Sequence, residues 1–104
     1  MSNYKLLYIT CGSKIEAINL GKLIVKNKLA ACTNIFSNIN SIFNLNNKVI
    51  QSNETILVGK TQKKNITKII KFIESRHSYD CPCILFFDIE KGNKKFLSWI
   101  RENS

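Results

Sequence analysis

The feature that most constrains the fold is a long alternating stretch in the middle of the chain. From Ile35 to Leu45 the odd positions read Ile, Ser, Ile, Ser, Phe and Leu, while Asn fills positions 38, 40 and 44. A period of two predicts a β-strand with one apolar face. Asn46-Asn47 tolerates the positive φ of a tight turn, and Ile50 to Lys60 predicts the partner strand. Such a long hairpin extends beyond a small domain, so its outer part needs something to pack against.

The residues before the hairpin predict one strand and one helix. Lys5 to Thr10 is a short apolar run closed by Cys11-Gly12, which is typical of a buried strand. Ser13 and Glu16 have the spacing of a capping box, in which the serine accepts an N–H and the glutamate reaches back to the cap. Helical spacing then continues through a stripe of small and apolar residues: Ala17, Leu20, Gly21 and Ile24.

The residues after the hairpin predict a second helix, a fourth strand and a short final helix. Thr61 is a candidate cap for the second helix, which is expected to end around Arg76-His77. The continuous apolar run from Cys83 to Ile89 is typical of a central strand. Asn93 is a candidate cap for the final helix, with Trp99 as its expected anchor. The second helix has a clean apolar stripe: Ile66, Ile69, Ile70 and Ile73.

This order of elements predicts one domain over residues 1–104. It is an α+β, ferredoxin-like βαββαβ sandwich with an extended hairpin between its second and third strands and a short C-terminal helix. Right-handed crossovers place the first and third strands in the centre of the sheet. The fold alone assigns no function, because this architecture hosts many.

Composition narrows the classes of partner. The chain carries a net charge of +9, but all of its 16 basic residues except Arg76 and Arg101 are lysines. Base readout and bidentate phosphate contacts favour arginine, so we expect no nucleic-acid partner. The sequence has no run of eighteen apolar residues, the length that a membrane-spanning helix needs, and the N-terminus lacks the pattern of a signal peptide. We expect a cytoplasmic protein with reduced thiols.

The stretch Arg76 to Cys83, RHSYDCPC, concentrates four residues of metal-ligating types: His77, Asp80, Cys81 and Cys83. Cys81 and Cys83 are two residues apart, so in a strand they share a face and can chelate one soft ion. A closed zinc site usually takes four tetrahedral ligands. The plainer interpretation is that Cys83 is a packed thiol at the start of a strand.

Five segments, in order along nearly the whole chain, resemble the CutA family of divalent-cation tolerance proteins. They are LAACTNI (29–35), SIF (41–43), ETILVGKT (54–61), HSYDCP (77–82) and GNKKFLSWI (92–100). The family's His-Pro-Tyr-Glu-x-Pro pattern departs here at Ser78 and at Asp80, whose side chain is one methylene shorter than glutamate.

The resemblance implies a non-enzymatic homotrimer whose long hairpins pack around a three-fold axis. Ile39, Ile42, Phe43 and Leu45 would then lie in an interface. The family is linked to tolerance of copper and other divalent metals. Its trimer is also similar to that of PII signalling proteins, which implies an alternative function as a sensor or scaffold that binds a small anionic ligand between subunits.

The resemblance also implies two sets of site residues. Cys32 and His77 match the family positions expected to bind a metal ion, copper or zinc, and both are expected near one end of the sheet. A polar cleft between subunits is expected to hold the ligand of the alternative function. Its residues are Glu54, Lys60, Tyr79, Asp80 and Trp99, of which Glu54 and Lys60 can instead form a surface ion-pair ladder.

Overall fold

The computed structural model describes residues 2–104 and contains four strands and three α-helices in the predicted order. This confirms the α+β, ferredoxin-like architecture. A short 3₁₀ turn, Lys63–Asn65, precedes the second helix. The elements are β1 (Tyr4–Cys11), α1 (Lys14–Lys26), β2 (Cys32–Leu45), β3 (Lys48–Gln62), α2 (Ile66–Glu74), β4 (Ile84–Asp88) and α3 (Lys94–Asn103).

The four strands form one antiparallel sheet in the order β2-β3-β1-β4, with β1 and β3 in the centre as predicted. Ile9 of β1 pairs with Leu57 on one side and with Ile84 on the other. The prediction that the run from Cys83 to Ile89 forms a central strand is wrong, because among the strands of residues 2–104 β4 is at the edge and pairs with β1 alone. Strand β4 has apolar residues on both faces, which is why its sequence resembles that of a central strand. On the face away from the core, Leu85 and Phe87 are each 49% exposed.

The core lies between one face of the sheet and helices α1 and α2. Leu7 and Ile9 of β1 and Leu57 of β3 are fully buried against it, together with Ile24 of α1 and Ile73 of α2. Alternation along β1 gives the helix-facing side to its odd-numbered residues. Burial of each such side chain contributes about 1.5–3 kcal/mol.

The start of the second helix differs from the prediction. Thr61 is not a helix cap: it belongs to β3, is fully buried, and its hydroxyl donates to the Leu29 carbonyl. The 3₁₀ turn separates it from α2, which ends at Glu74, two residues before the expected end. The hydroxyl therefore ties the sheet to the connection after α1.

The hairpin contains a bulge that changes which side chains share a face. Phe36 pairs with Ile56 and Ile39 pairs with Glu54, so β2 spends three residues where β3 spends two. Asn38 in the bulge has a φ of 60°. Ile39 consequently lies on the face of Phe36, and the prediction of one uninterrupted alternation from Ile35 to Leu45 is wrong.

The part of the hairpin beyond the bulge, residues 39–53, is called the arm below. Asn46 and Asn47 have φ values of 52° and 64°, which confirms the predicted tight turn. Ile42 is 68% exposed and Val49, on the same face, is 77% exposed. The arm makes the molecule elongated, with principal extents of 44 × 25 × 23 Å. Phe43 and Leu45 are exposed on its opposite face.

Helix α3 packs through Ile100, which is 1% exposed. The Gln62 amide donates to the Arg101 and Ser104 carbonyls and holds the end of this helix against β3. Trp99, the expected anchor, is instead 39% exposed and packs on Phe96 at a ring distance of 5.3 Å. Within residues 2–104, no helix has the length and apolar character that crossing a bilayer requires.

Candidate metal centre

Three side chains that can ligate a metal meet where β1, α1 and the connection after α2 come together. Cys11, Glu16 and His77 each place one ligand atom within 4.8 Å of the others. Cys11 is the last residue of β1 and faces the helices, and Glu16 lies in the first turn of α1. His77 follows α2, and its N–H donates to the Ile73 carbonyl at 2.8 Å.

Sequence reasoning identified His77 but not its two neighbours. Alternation along β1 could have placed Cys11 on the side of Leu7 and Ile9. The capping spacing placed Glu16 in the first turn of the first helix, three residues after the capping serine. The contact between the segment after α2 and the end of β1 joins residues that are far apart in the sequence. No local pattern predicts such a contact.

The imidazole of His77 is completely enclosed, with a side-chain exposure of 0%. Its Nε2 lies 2.8 Å from the Thr10 carbonyl, and its Nδ1 accepts the Tyr79 N–H at 3.0 Å. These partners assign the proton to Nε2 and leave Nδ1 as the lone-pair nitrogen. That nitrogen lies 3.9 Å from Glu16 Oε2.

The carboxylate of Glu16 is held by three hydrogen bonds. It accepts the N–H of Gly12 at 3.1 Å, the N–H of Ser78 at 2.8 Å and the hydroxyl of Ser78 at 3.0 Å. Burial works to raise the pKa of Glu16, but the bonds from Ser78 and Gly12 and the nearby His77 outweigh it and lower that pKa. The Ser13 hydroxyl accepts the Glu16 N–H at 3.1 Å, so the serine half of the capping box is confirmed, whereas the carboxylate binds Gly12 rather than Ser13.

The thiol of Cys11 is shielded from water and faces two carboxylates. Burial, together with the negative charges of Glu16 and Glu54, raises the pKa of Cys11 to about 12. At pH 7 the thiol is therefore protonated. A metal ion that binds the sulfur has to displace its proton, so affinity at this site is expected to rise with pH.

The donor set fits a transition metal. Thiolate, imidazole and carboxylate together suit zinc or copper, whereas magnesium and calcium prefer oxygen ligands alone. Each donor is already committed: the Cys11 thiol holds its proton, His77 Nδ1 accepts an N–H and the Glu16 carboxylate accepts three hydrogen bonds. A metal ion can bind only if the proton and these hydrogen bonds are replaced by bonds to the metal, so we expect its affinity to be weak.

Cys32 lies far from His77 within one chain. Cys32 pairs with Lys60, which pairs with Leu6, four residues before Thr10 on β1. Strand spacing puts Cys32 roughly 15 Å from the Thr10 carbonyl that His77 contacts. The expectation that the two ligands lie near one end of the sheet is therefore wrong, and metal binding by Cys32 stays a prediction that would need ligands from another chain.

The predicted cleft residues are also dispersed. The Tyr79 hydroxyl donates to the Glu54 carboxylate at 2.7 Å, and this pair is brought together. The Lys60 ammonium donates instead to the Asn34 side chain at 2.6 Å. Glu54 and Lys60 are six residues apart on β3, about 20 Å, so they form no ion pair. Asp80 and Trp99 are exposed, and a cleft that unites the set between subunits stays a prediction.

The cysteines of RHSYDCPC take no part in the centre. Cys81 is exposed, Cys83 is partly buried, and both are free thiols. Over residues 2–104, the group of three potential ligands around His77 contains neither of them, nor Asp80. Cys83 instead contributes its carbonyl, which accepts the Thr10 N–H at 3.3 Å and extends the contact between β4 and β1.

The family model, the similar sequences and the similar solved structures all point to one family. The family described as CutA1 divalent ion tolerance protein matches residues 5–103. The divalent-cation tolerance protein CutA of Archaeoglobus fulgidus is 37% identical over 99 residues, 95% of this chain and 96% of that protein. The solved divalent cation tolerance protein (Cut A1) of Thermus thermophilus superposes with a TM-score of 0.95 at 32% identity, covering 97% and 98% of the two chains. Human protein CutA is 28% identical over 91% of this chain, which spans 53% of the human protein.

Proposed function

The chain belongs to the CutA divalent ion tolerance family, and from this premise we propose that it is a non-enzymatic, cytoplasmic homotrimer that binds zinc or copper ions weakly. The observation that carries the proposal is the convergence of Cys11, Glu16 and His77 within 4.8 Å.

The three ligands explain both the selectivity and the weakness of the proposed binding. Cys11 supplies a soft donor that favours zinc and copper over calcium or magnesium. His77 supplies Nδ1 after Tyr79 releases it, and Glu16 supplies an oxygen after Ser78 or Gly12 releases it. Because each donor first loses a proton or a hydrogen bond, we expect micromolar rather than nanomolar affinity.

The same geometry supports a non-enzymatic role. A catalytic cysteine needs a depressed pKa so that its thiolate forms near neutral pH, whereas burial and Glu16 raise the pKa of Cys11 to about 12. While the Tyr79 N–H is in place, the lone pair of His77 is engaged and does not act as a base for the thiol.

The proposed assembly rests on the arm. Apolar side chains are exposed on both of its faces, with Ile42 and Val49 on one and Phe43 and Leu45 on the other. Further copies of this chain would cover them, and the number three comes from the family resemblance. Light scattering after gel filtration is expected to give about 36 kDa, three times the 11.9 kDa chain. A stable mass of one chain at micromolar concentration would overturn the trimer.

Calorimetric titration with Zn²⁺ tests the metal centre. Cys11→Ser, Glu16→Gln and His77→Ala are each expected to weaken binding at least tenfold. Cys32→Ser is the matched control, because it removes a thiol from a strand that does not reach the cluster. Wild-type affinity in Cys11→Ser together with lost affinity in Cys32→Ser would transfer the ligand role to Cys32, and unchanged affinity in all four variants would remove the centre.

One observation favours the PII-like alternative. The Lys60 ammonium has a neutral partner, Asn34, at 2.6 Å, so its charge remains available for an anion. Screening nucleotides and organic anions by thermal shift, with Lys60→Met as control, tests this function. Stabilisation that disappears in the variant supports it, and no stabilisation by any anion contradicts it.

A further inference from the structure

Tyr79 packs against the imidazole of the metal centre. Its ring is 4.9 Å from the His77 ring at an angle of 55°, and its backbone N–H donates a hydrogen bond to His77 Nδ1. Gly12 makes room for this arrangement. A Cβ at that position would lie 3.2 Å from both the Cε1 and the hydroxyl oxygen of Tyr79, tighter than ordinary packing. The ring therefore fits between the enclosed imidazole and the backbone at the end of β1.

A single hydrogen bond fixes the outer end of this ring. The Tyr79 hydroxyl donates to Glu54 Oε2 at 2.7 Å, and Glu54 is a buried carboxylate on β3. Tyr79 itself is 36% exposed, while the His77 side chain beneath is fully enclosed. Of the two neighbouring rings, only that of Tyr79 reaches solvent in the single chain.

We propose that Tyr79 is a positioning residue that controls access to His77, with the Tyr79–Glu54 hydrogen bond as its latch. When the segment around Tyr79 moves outward, the ring uncovers the imidazole and the backbone N–H leaves Nδ1 in the same motion. That motion supplies the lone pair that an incoming cation needs. The consequence for metal uptake rests on the proposed function, whereas the control of access to the imidazole does not.

Chemical modification of the imidazole tests this control without any metal. Diethyl pyrocarbonate acylates an unprotonated imidazole nitrogen and also reacts with amines, thiols and phenols, but the acylated imidazole has an ultraviolet absorbance of its own. The chain has one histidine, so that absorbance reports on His77 alone. Tyr79→Phe keeps the ring and removes the latch. We expect its modification rate to rise about tenfold, the change expected for loss of one hydrogen bond to a carboxylate. Tyr8→Phe is the matched control, because Tyr8 packs edge-on against Phe87 instead, and its rate is expected to equal that of the wild type.

Gly12→Ala tests the same cover from the opposite side. The added methyl group meets the Tyr79 ring at 3.2 Å and is expected to displace it, so this variant is also expected to react faster. Slow, wild-type rates in both Tyr79→Phe and Gly12→Ala would overturn the proposal. So would a fast rate whose dependence on urea matches that of complete unfolding, because local opening exposes little surface and depends weakly on urea.

Stopped-flow mixing with Zn²⁺ separates this inference from the proposed function. If Tyr79→Phe is modified faster and also binds Zn²⁺ faster, both are supported. If it is modified faster while neither protein binds Zn²⁺, the control of access stands and the proposed metal function fails. If modification and Zn²⁺ association both keep their wild-type rates, the role of Tyr79 is overturned whatever the metal affinity.

Discussion

The arm and the rest of the domain, called the body below, both have apolar residues on their strands. In the body many of these residues are buried, whereas in the arm many of them are exposed. Leu7, Ile9 and Leu57 in the body have no exposed surface because α1 and α2 cover their face of the sheet. In the arm, Ile42 and Val49 are 68% and 77% exposed, so little within residues 2–104 covers them. The two regions share strand β3, so the difference comes from what covers each face and not from strand propensity.

The difference shows which region buries its apolar side chains within one chain and which region leaves them for a proposed partner to cover. Free strand edges are usually protected by charged residues, yet the only charged residue of the arm is Lys48, at the turn. The body satisfies its buried polar groups internally: among the described, non-exposed residues, no buried side-chain nitrogen or oxygen lacks a partner. These contrasts support the proposed assembly through the arm, and four experiments test the comparison.

The largest effect is expected in the body. Leu57→Ala removes a fully buried side chain from the centre of β3 and is expected to lower the free energy of unfolding by about 3 kcal/mol. Urea denaturation followed by circular dichroism measures it. A loss below about 1 kcal/mol would show that the body around Leu57 is loosely packed, and the contrast with the arm would disappear.

In the arm, Val49→Ala is expected to cost about 1.5 kcal/mol per copy, and only in the assembled protein. In a single chain Val49 is 77% exposed, so truncating it leaves the isolated fold almost unchanged. Unfolding measured at protein concentrations above and below dissociation distinguishes the two states. An equal cost at both concentrations would place Val49 against its own chain, and no cost at either would remove this side chain from the proposed interface.

Sequence reasoning predicted the body better than the boundary between the regions. Helical spacing correctly predicted which residues of α1 face the core, and the apolar run from Lys5 to Thr10 correctly predicted strand β1, because those patterns are local. The bulge was missed because Asn38 looks like any other polar position in an alternating strand. Cys32 was wrongly placed near His77 because the position of a strand end depends on register, and register is set by pairing with a neighbour.

A third, smaller effect is expected from acid, and it falls on the body. Because the folded-state pKa of Glu16 is lowered, its contribution to stability is present above the unfolded value of about 4.3 and is lost as pH falls through the folded value. Glu16→Gln is expected to be about 1 kcal/mol less stable than the wild type at pH 7. The gap between the two is expected to narrow toward pH 3.

Urea midpoints of the wild type and Glu16→Gln across this pH range measure the gap. Glu102→Gln, an exposed position on α3, is the control and is expected to follow the wild type throughout. A gap that stays constant from pH 7 to pH 3 would show that the Glu16 hydrogen bonds do not depend on its charge. The arm between residues 39 and 53 contains no carboxylate, so the proposed association through it is expected to vary little over the same range.

The smallest effect is expected from salt, and it falls on the arm. Salt screens interactions between charges, and the arm offers only Lys48, so its proposed contacts are apolar. Since each chain carries +9, screening the repulsion between copies should slightly favour assembly. We expect the dissociation constant to fall by less than about threefold between 0.05 and 0.5 M salt, measured by light scattering on dilution. Gln51→Glu, which adds a charge opposite Ile42, is expected to introduce a clear salt dependence. A steep dependence in the wild type would instead assign the association to the lysine-rich surface of the body.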